Sequence, residues 1–413
     1  MKNSNIISLI LFVFSFSCKD SEPTPTPKPV IITAEKSAAL IQADNTFGLE
    51  LFCRTVATAK PNANTSISPL SVSLALAMVY NGAAGETKTE MENAMKVSKL
   101  SPDEINLMHK SLVDSLKASD PEVVLEIANA IYYQKGLNVE PNFITTNKNF
   151  YSAEVNSLNF SSPQDALKVI NGWVSQKTHD KIPTILEEFE SVPLMVLLNA
   201  VYFNGVWKSK FDPNQTHNLW FNVNNDSWNE TPMMTQTTSL EYASNDLFSA
   251  INLPYGKGNF QMTVILPNPN KTTKDVIAQL TNENWVAWQN VFAPKNQLIV
   301  TMPRFKFSWG MKLNEVLQQM GIKKAFNGSA DFSGISKDMS LFISEVIHKT
   351  YIDVNENGTE AAAVTAIIMT TGESGPDPRP YFTVNRPFIF AITEKTTGAI
   401  LFIGEITNPE YPI

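Results

Sequence analysis

Apolar positions fall into two regimes along this chain: helical spacing up to about residue 190, then short alternating or continuous runs bounded by Gly, Pro and Asn. In the first regime "SPLSVSLALAMVYNGAAGET", residues 68–87, predicts a helix opened by Ser68 and Pro69 and closed at Asn81 and Gly82. It is apolar on every face from Val72 to Val79, the mark of a buried helix. "NTFGLELFCRTV" carries Phe47, Leu51, Phe52 and Val56 at helical spacing and places Cys53 as a buried structural thiol, with nothing nearby in sequence to lower its pKa. In the second regime strands are predicted at "PLMVLLNAVYF", "FSAINLPY", "FQMTVILP", "QLIVTMPRFKF" and "SLFISEVIHKTYIDV". A final strand pair, "PFIFAIT" and "GAILFIGEI", flanks the turn "EKTTG". One helical interruption, "MKLNEVLQQMGI", carries Leu313, Leu317 and Met320. "YGKGNF", 255–260, leads into the apolar run "QMTVILP" and reads as a hairpin turn rather than a phosphate cradle. The fold class is α+β with substantial antiparallel sheet.

One segment fits neither regime: "VNENGTEAAAVTAIIMTTGESG", 354–375. Asp353, Asn355, Asn357 and Gly358 occupy the first ligand positions and the turn glycine of an EF-hand loop. The ninth and twelfth positions are Ala361 and Val364, however, and a calcium loop needs a bidentate Glu at the twelfth. From Thr359 onward the residues alone allow an exposed Ala-rich helix. They equally allow a strand with Thr359, Ala361, Ala363, Thr365 and Ile367 on one face and Glu360, Ala362, Val364, Ala366 and Ile368 on the other. The first face is small where it begins, as a strand slipping between two existing strands requires, because bulk or charge would jam in a packed interior. Gly358 then reads as a hinge.

With 413 residues, 43% hydrophobic and 17% charged, the chain can bury a large core. No linker or repeat appears after residue 30, so a single domain over 35–413 is expected. The net charge of -8 and scattered Lys and Arg argue against a nucleic-acid track. The four His are His109, His179, His217 and His348, and no HExxH, paired CxxC, GxSxG or P-loop pattern occurs. No catalytic constellation, metal site or cofactor is expected. At the N-terminus Lys2 precedes an apolar run, Ile6 to Phe16, too short to span a bilayer. Residues 1–17 read as a signal peptide whose end resembles a bacterial lipobox, with Cys18 as the lipidated residue, although Ser15 and Phe16 depart from the usual Leu and small residue. "KDSEPTPTPKP" makes residues 18–34 an extended tether. "CKDSE" resembles the acidic signal of some bacterial surface lipoproteins. The expected location is outside the cell or in its envelope, lipid-anchored to the outer membrane or cell surface, with plain secretion or a periplasmic location as the alternative. With Cys18 lipidated, Cys53 is the only thiol left and no intrachain disulfide forms.

"SPLSVSLALAMVYNGAAGET", "LLNAVYFNGVW", "ADFSGIS", "ISEVIHKTYIDVNENGTEAAA" and "NRPFIFAITEKTTGAILFIGEITNP" stand in serpin order, and from about residue 40 onward the chain resembles that family. The resemblance implies a helical N-terminal part packed on large sheets and an exposed reactive loop at about 355–381. It also implies a monomeric suicide inhibitor of serine or possibly cysteine proteases that needs no cofactor; the alternative is a non-inhibitory carrier, storage protein or chaperone. By the same resemblance Glu356, Gly358, Thr359, Glu360, Ala361, Ala362, Ala363, Val364 and Thr365 form the loop hinge. Ser68, Ser71, Asn199 and His348 match the family's polar shutter, and Trp207, Arg304 and Glu345 its breach, where insertion begins. Thr359 is expected on the exposed loop of the uncleaved protein. Counting from Gly358 places the scissile bond at Gly372-Glu373, with Thr371-Gly372 and Glu373-Ser374 open; counting back from Pro387 gives Pro376-Asp377. Small neutral residues there suit elastase-like, subtilisin-like or papain-like enzymes.

Overall fold

Side chains that satisfy orphan backbone donors open several of the helices. Thr33 accepts from the Lys36 N–H to open α1 (Ala34–Thr58), and Ser101 forms a capping box with Glu104 to open α4 (Pro102–Ala118). The other helices of the N-terminal half are α2 (Pro69–Tyr80), α3 (Gly85–Ala94), α5 (Pro141–Tyr151) and α6 (Pro163–Lys177). The structure, a computed structural model, describes residues 32–189, 191–224, 227–359 and 379–411. Among these, three further short helices follow: α7 (Thr273–Ile277), α8 (Asn282–Gln289) and α9 (Asn314–Gln319).

Strands, numbered in chain order, build two sheets. The six-stranded sheet runs β10 (Phe305–Lys312), β11 (Ile347–Asn355), β12 (Gly358–Thr359), β4 (Met195–Val206), β2 (Val123–Gln134), β3 (Glu154–Leu158). The nine-stranded sheet runs β1 (Thr65–Ile67), β15 (Ile400–Ile406), β14 (Phe388–Glu394), β8 (Phe260–Pro267), β7 (Phe248–Tyr255), β6 (Ser227–Ser244), β9 (Ala293–Pro303), β13 (Tyr381–Thr383), with β5 (His217–Asn224) on β6. The described residues from 32 onward form one compact unit.

The main core lies among α1, α2 and both sheets, where Phe47, Phe52, Leu76, Phe203, Phe390 and Ile403 are buried. A second apolar cluster sits on the other face of the six-stranded sheet, where Leu167, Ile170, Trp173 and Val174 of α6 cover Ala130, Val196, Leu198 and Ala200. The sheet between β2 and β4 is therefore buried on both faces.

The helix at 69–80 is buried all round, as the pattern predicts, although the Ser68 side chain makes no capping hydrogen bond. The hairpin at 255–260 joins β7 to β8. Other expectations need correction. Within the half read as helical, 123–134 and 154–158 are strands, and Val123, Leu125 and Ile127 alternate with more exposed residues. "QLIVTMPRFKF" is two strands in different sheets: Pro303 has no amide hydrogen to extend the ladder, and the chain turns there from β9 into β10. "SLFISEVIHKTYIDV" becomes strand only from Ile347. Helices α7 and α8 are additional, and α7 opens on a Thr272 and Asp275 capping box.

The sheet opening between β4 and β11

Gly358 and Thr359 sit between β11 and β4, antiparallel to both. Thr359 pairs with Val354 and Gly205, and Gly358 with Asn355 and Val206. Gly358 has φ +152°, and a Cβ there would lie 2.0 Å from the Gly205 carbonyl oxygen, so only glycine fits this close approach. The turn before it is tied down. Trp207 donates its backbone N–H to the Asn357 carbonyl at 2.8 Å and its indole Nε1–H to the Asn355 carbonyl at 2.8 Å. Phe211 N–H reaches the Glu356 carbonyl at 2.9 Å.

The expectation that Thr359 is exposed is therefore corrected: it is 3% exposed, and its hydroxyl lies 2.6 Å from the Tyr255 hydroxyl. Tyr255 stacks on Trp207 with ring centroids 4.3 Å apart and planes 14° apart. Burial pushes the Tyr255 pKa up, which keeps its hydroxyl protonated and able to donate. The start of the loop expected at 355–381 is thus sheet: Asn355 ends β11 and Gly358–Thr359 form β12, while Tyr381 lies in β13 at the far end. The calcium-like residues are consumed in the same way, with Asp353 and Asn355 in β11 and Asn357 in the turn. Among the described residues no group of three or more His, Cys, Asp or Glu could hold a metal.

Glu356 is almost fully buried, and its Oε1 takes hydrogen bonds from Arg304 Nε at 2.6 Å and Thr216 Oγ1, with Arg304 Nη2 at 2.5 Å. Arg304 also lies over the Tyr411 ring, 5.3 Å from its centroid. Trp207, Arg304 and Glu356 thus gather at the end of the sheet where β12 enters. Glu345 does not join them. It pairs with Lys312 at 2.9 Å. The β10–β11 register sets Lys312 opposite Ile347 and Phe305 opposite Val354, which puts Glu345 at the other end of β11 from Arg304. The acid that partners Arg304 is in the hinge, eleven residues further along.

Deeper in the sheet, Ser68, Ser71, Asn199 and His348 do come together beneath β4 and β11. The Ser68 N–H donates to His348 Nε2 at 3.0 Å, which requires a neutral ring with its proton on Nδ1. Burial pushes the His348 pKa down to about 4. Ser71 Oγ bonds Asn199 Oδ1, and Asn199 Nδ2 donates to Asn129 Oδ1 at 2.7 Å. Helix α2 therefore holds β11 through one hydrogen bond and β4 through another. Just before β11, Val346 makes an isolated parallel bridge to Leu197 of β4. A small cavity lined by Ser71, Leu197, Asn199, Val346 and His348 lies under it.

Asn129 and Tyr255 escaped the sequence reading. Asn129 carries a signal, an Asn inside a predominantly apolar run much like Asn199; Tyr255 reads only as a core aromatic before a turn. A buried Ser73, His109 and Asp44 group resembles a hydrolytic set in composition alone. Ser73 Oγ donates to Asp44 and His109 Nε2 bonds the same carboxylate at 3.2 Å, so the imidazole bonds the acid and not the hydroxyl, as a Ser–His pair would require. Glu360, Ala361, Ala362, Ala363, Val364, Thr365, Thr371, Gly372, Glu373, Ser374 and Cys18 lie outside the described residues.

A family model described as serpin, serine protease inhibitor, matches residues 42–409. Leukocyte elastase inhibitor from Homo sapiens is 34% identical over 384 residues, covering 90% of this chain and 99% of that protein. The structure is similar to human thyroxine-binding globulin, with TM-score 0.82 and 29% identity over 91% of this chain and all of the other. It is likewise similar to the thermophilic serpin Tengpin in its native state, with TM-score 0.81 and 30% identity over 92% of this chain and 96% of the other. The chain belongs to the serpin family.

Proposed function

We propose that this serpin is a suicide inhibitor of serine proteases, and of cysteine proteases with similar cleft preferences, and not an enzyme. The observation that carries the reading is β12, a strand already begun between β4 and β11. Continuing its register downward sets Ala361 opposite Ile352 and Phe203, Ala363 opposite Thr350 and Val201, and Ile367 opposite Val346 and Leu197. Thr365 arrives opposite His348 and Asn199, so a polar side chain on the inserting face meets the polar pair. Insertion must part the Leu197–Val346 bridge and exchange the α2 hydrogen bonds of the shutter.

The chemistry is that of the target. Its nucleophile attacks the scissile carbonyl, the new amino terminus leaves with the C-terminal fragment, and an acyl enzyme remains. The freed loop then adds backbone ladder bonds on both sides as it enters the sheet, at about 3.3 Å per residue. That gain carries the protease along before water can release it. Thyroxine-binding globulin is, by its name, a thyroxine-binding protein on the same fold, and a non-inhibitory role is the second reading. Carriers that lose insertion are expected to show bulk or charge on the inserting face, and Thr359, Ala361 and Ala363 show neither.

A denaturing gel against elastase-like, subtilisin-like and papain-like proteases tests the proposal. A covalent complex with at least one is expected; cleavage without complex in every case contradicts it. Mass spectrometry of the released C-terminal peptide is expected to start at Glu373, and a start at Pro380 overturns that assignment. We also propose export with lipid on Cys18, supported by the N-terminal sequence pattern; one acyl chain binds weakly, so several are expected. Mature protein with no added mass at Cys18 contradicts it.

A further inference from the structure

Away from the sheet opening, a cavity of about 570 Å³ lies between the end of α1, helix α7 and β15. Its size falls in the range of small-ligand sites, roughly 300–1,000 Å³. The walls are apolar: Val56 from α1, Ile277 from α7, Val223 from β5, and Pro387. Three charged residues, Glu405, Lys60 and Lys274, also stand in the lining. Glu405, on β15, is 6% exposed, whereas Lys60 is exposed at the end of α1 and Lys274 comes from the first turn of α7. None of these residues takes part in the insertion machinery.

Glu405 is unusual for a sheet interior. Neighbouring β15 residues Leu401 and Ile403 are core, and a carboxyl in that row costs free energy unless something compensates it. The Thr273 hydroxyl donates one hydrogen bond and Lys274 gives some attraction, yet burial still dominates and pushes the carboxyl pKa up. An arriving ammonium would add a direct charge-assisted hydrogen bond to this carboxyl. Lys60 and Lys274 would in turn attract a carboxylate, and the apolar walls a hydrocarbon side chain.

We propose that this cavity binds a short zwitterionic peptide of two or three residues, with its amino terminus at Glu405, its carboxylate toward Lys60 and Lys274, and an apolar side chain against Val56 and Ile277. A free amino acid leaves most of the volume empty, and a longer peptide cannot place both termini inside it. The proposal is independent of protease inhibition, since the cavity shares no residue with the hinge or the shutter.

The experiment is calorimetric titration of the mature protein with the dipeptide Leu-Ala, its N-acetyl form and its C-terminal amide. Saturable binding with one site is expected for Leu-Ala. Affinity should fall about tenfold or more on N-acetylation and to a similar extent in Glu405→Gln, because each removes the same charge-assisted hydrogen bond. N-acetylation should then cost little further in Glu405→Gln. Ala57→Trp, at an exposed position on the cavity wall, should block binding without touching the core. The amide should lose affinity in wild type and lose no more in Lys60→Glu. Absence of binding at millimolar Leu-Ala, equal affinity for the acetylated peptide, or unchanged binding in Ala57→Trp overturns the proposal.

Discussion

Thr359 shows how one side chain sets the starting state of the loop. Its hydroxyl meets Tyr255 inside the sheet and its backbone pairs on both sides, so on the proposed mechanism insertion starts from a residue already seated between β4 and β11. Thr359→Arg would put a charge into that interior without a partner, which costs several kcal/mol before relaxation. The cheaper response is withdrawal of β12, which forfeits a few hydrogen bonds worth about 1 kcal/mol each. The variant is expected to fold, to lose about that much stability in denaturant titration, and to be cleaved by a protease that wild type traps. On a denaturing gel, cleaved product should replace covalent complex. A variant that traps as well as wild type would show that Thr359 need not enter.

At the scale of elements, His348 joins β11 to the start of α2, and that link titrates. Its folded pKa near 4 lies below the ordinary 6.5, so between those values the unfolded chain binds more protons than the folded one. Stability from this group is therefore full above about pH 6.5 and falls by up to about 3 kcal/mol as pH drops to 4. His348→Gln should be less stable at neutral pH but show a shallower fall over that window in urea titrations; equal slopes would contradict the assignment. Much at this scale was legible in sequence. Buried α2, the hairpin at 255–260 and the last strand pair all follow from periodicity and turn residues. What periodicity hid was sheet membership: β2 looks helical in a helical neighbourhood, and Pro303 gives no hint that β9 and β10 belong to different sheets. The grouping of Ser68 with His348 and of Ser71 with Asn199 beneath the sheet was legible through family resemblance. The resemblance grouped Glu345 with Arg304, whereas Glu356 is the acid that reaches it, because which of two acids meets a given Arg depends on which end of β11 each occupies.

At the scale of the whole molecule, the proposed mechanism requires the sheet opened by β12 to complete itself when the loop is cut. β4 and β11 are parallel, separated at one end by two residues and bridged at the other by Leu197 and Val346. A completed strand would run the length of β4, and each of its backbone groups would find a partner. Amide hydrogen exchange on protein nicked in the reactive loop measures this directly. The account predicts that amides 361–367 become as protected as those in the middle of β4, and that β4 and β11 gain protection at their facing edges. Free exchange across 361–367 after cleavage, with β4 and β11 unchanged from the intact protein, would contradict it.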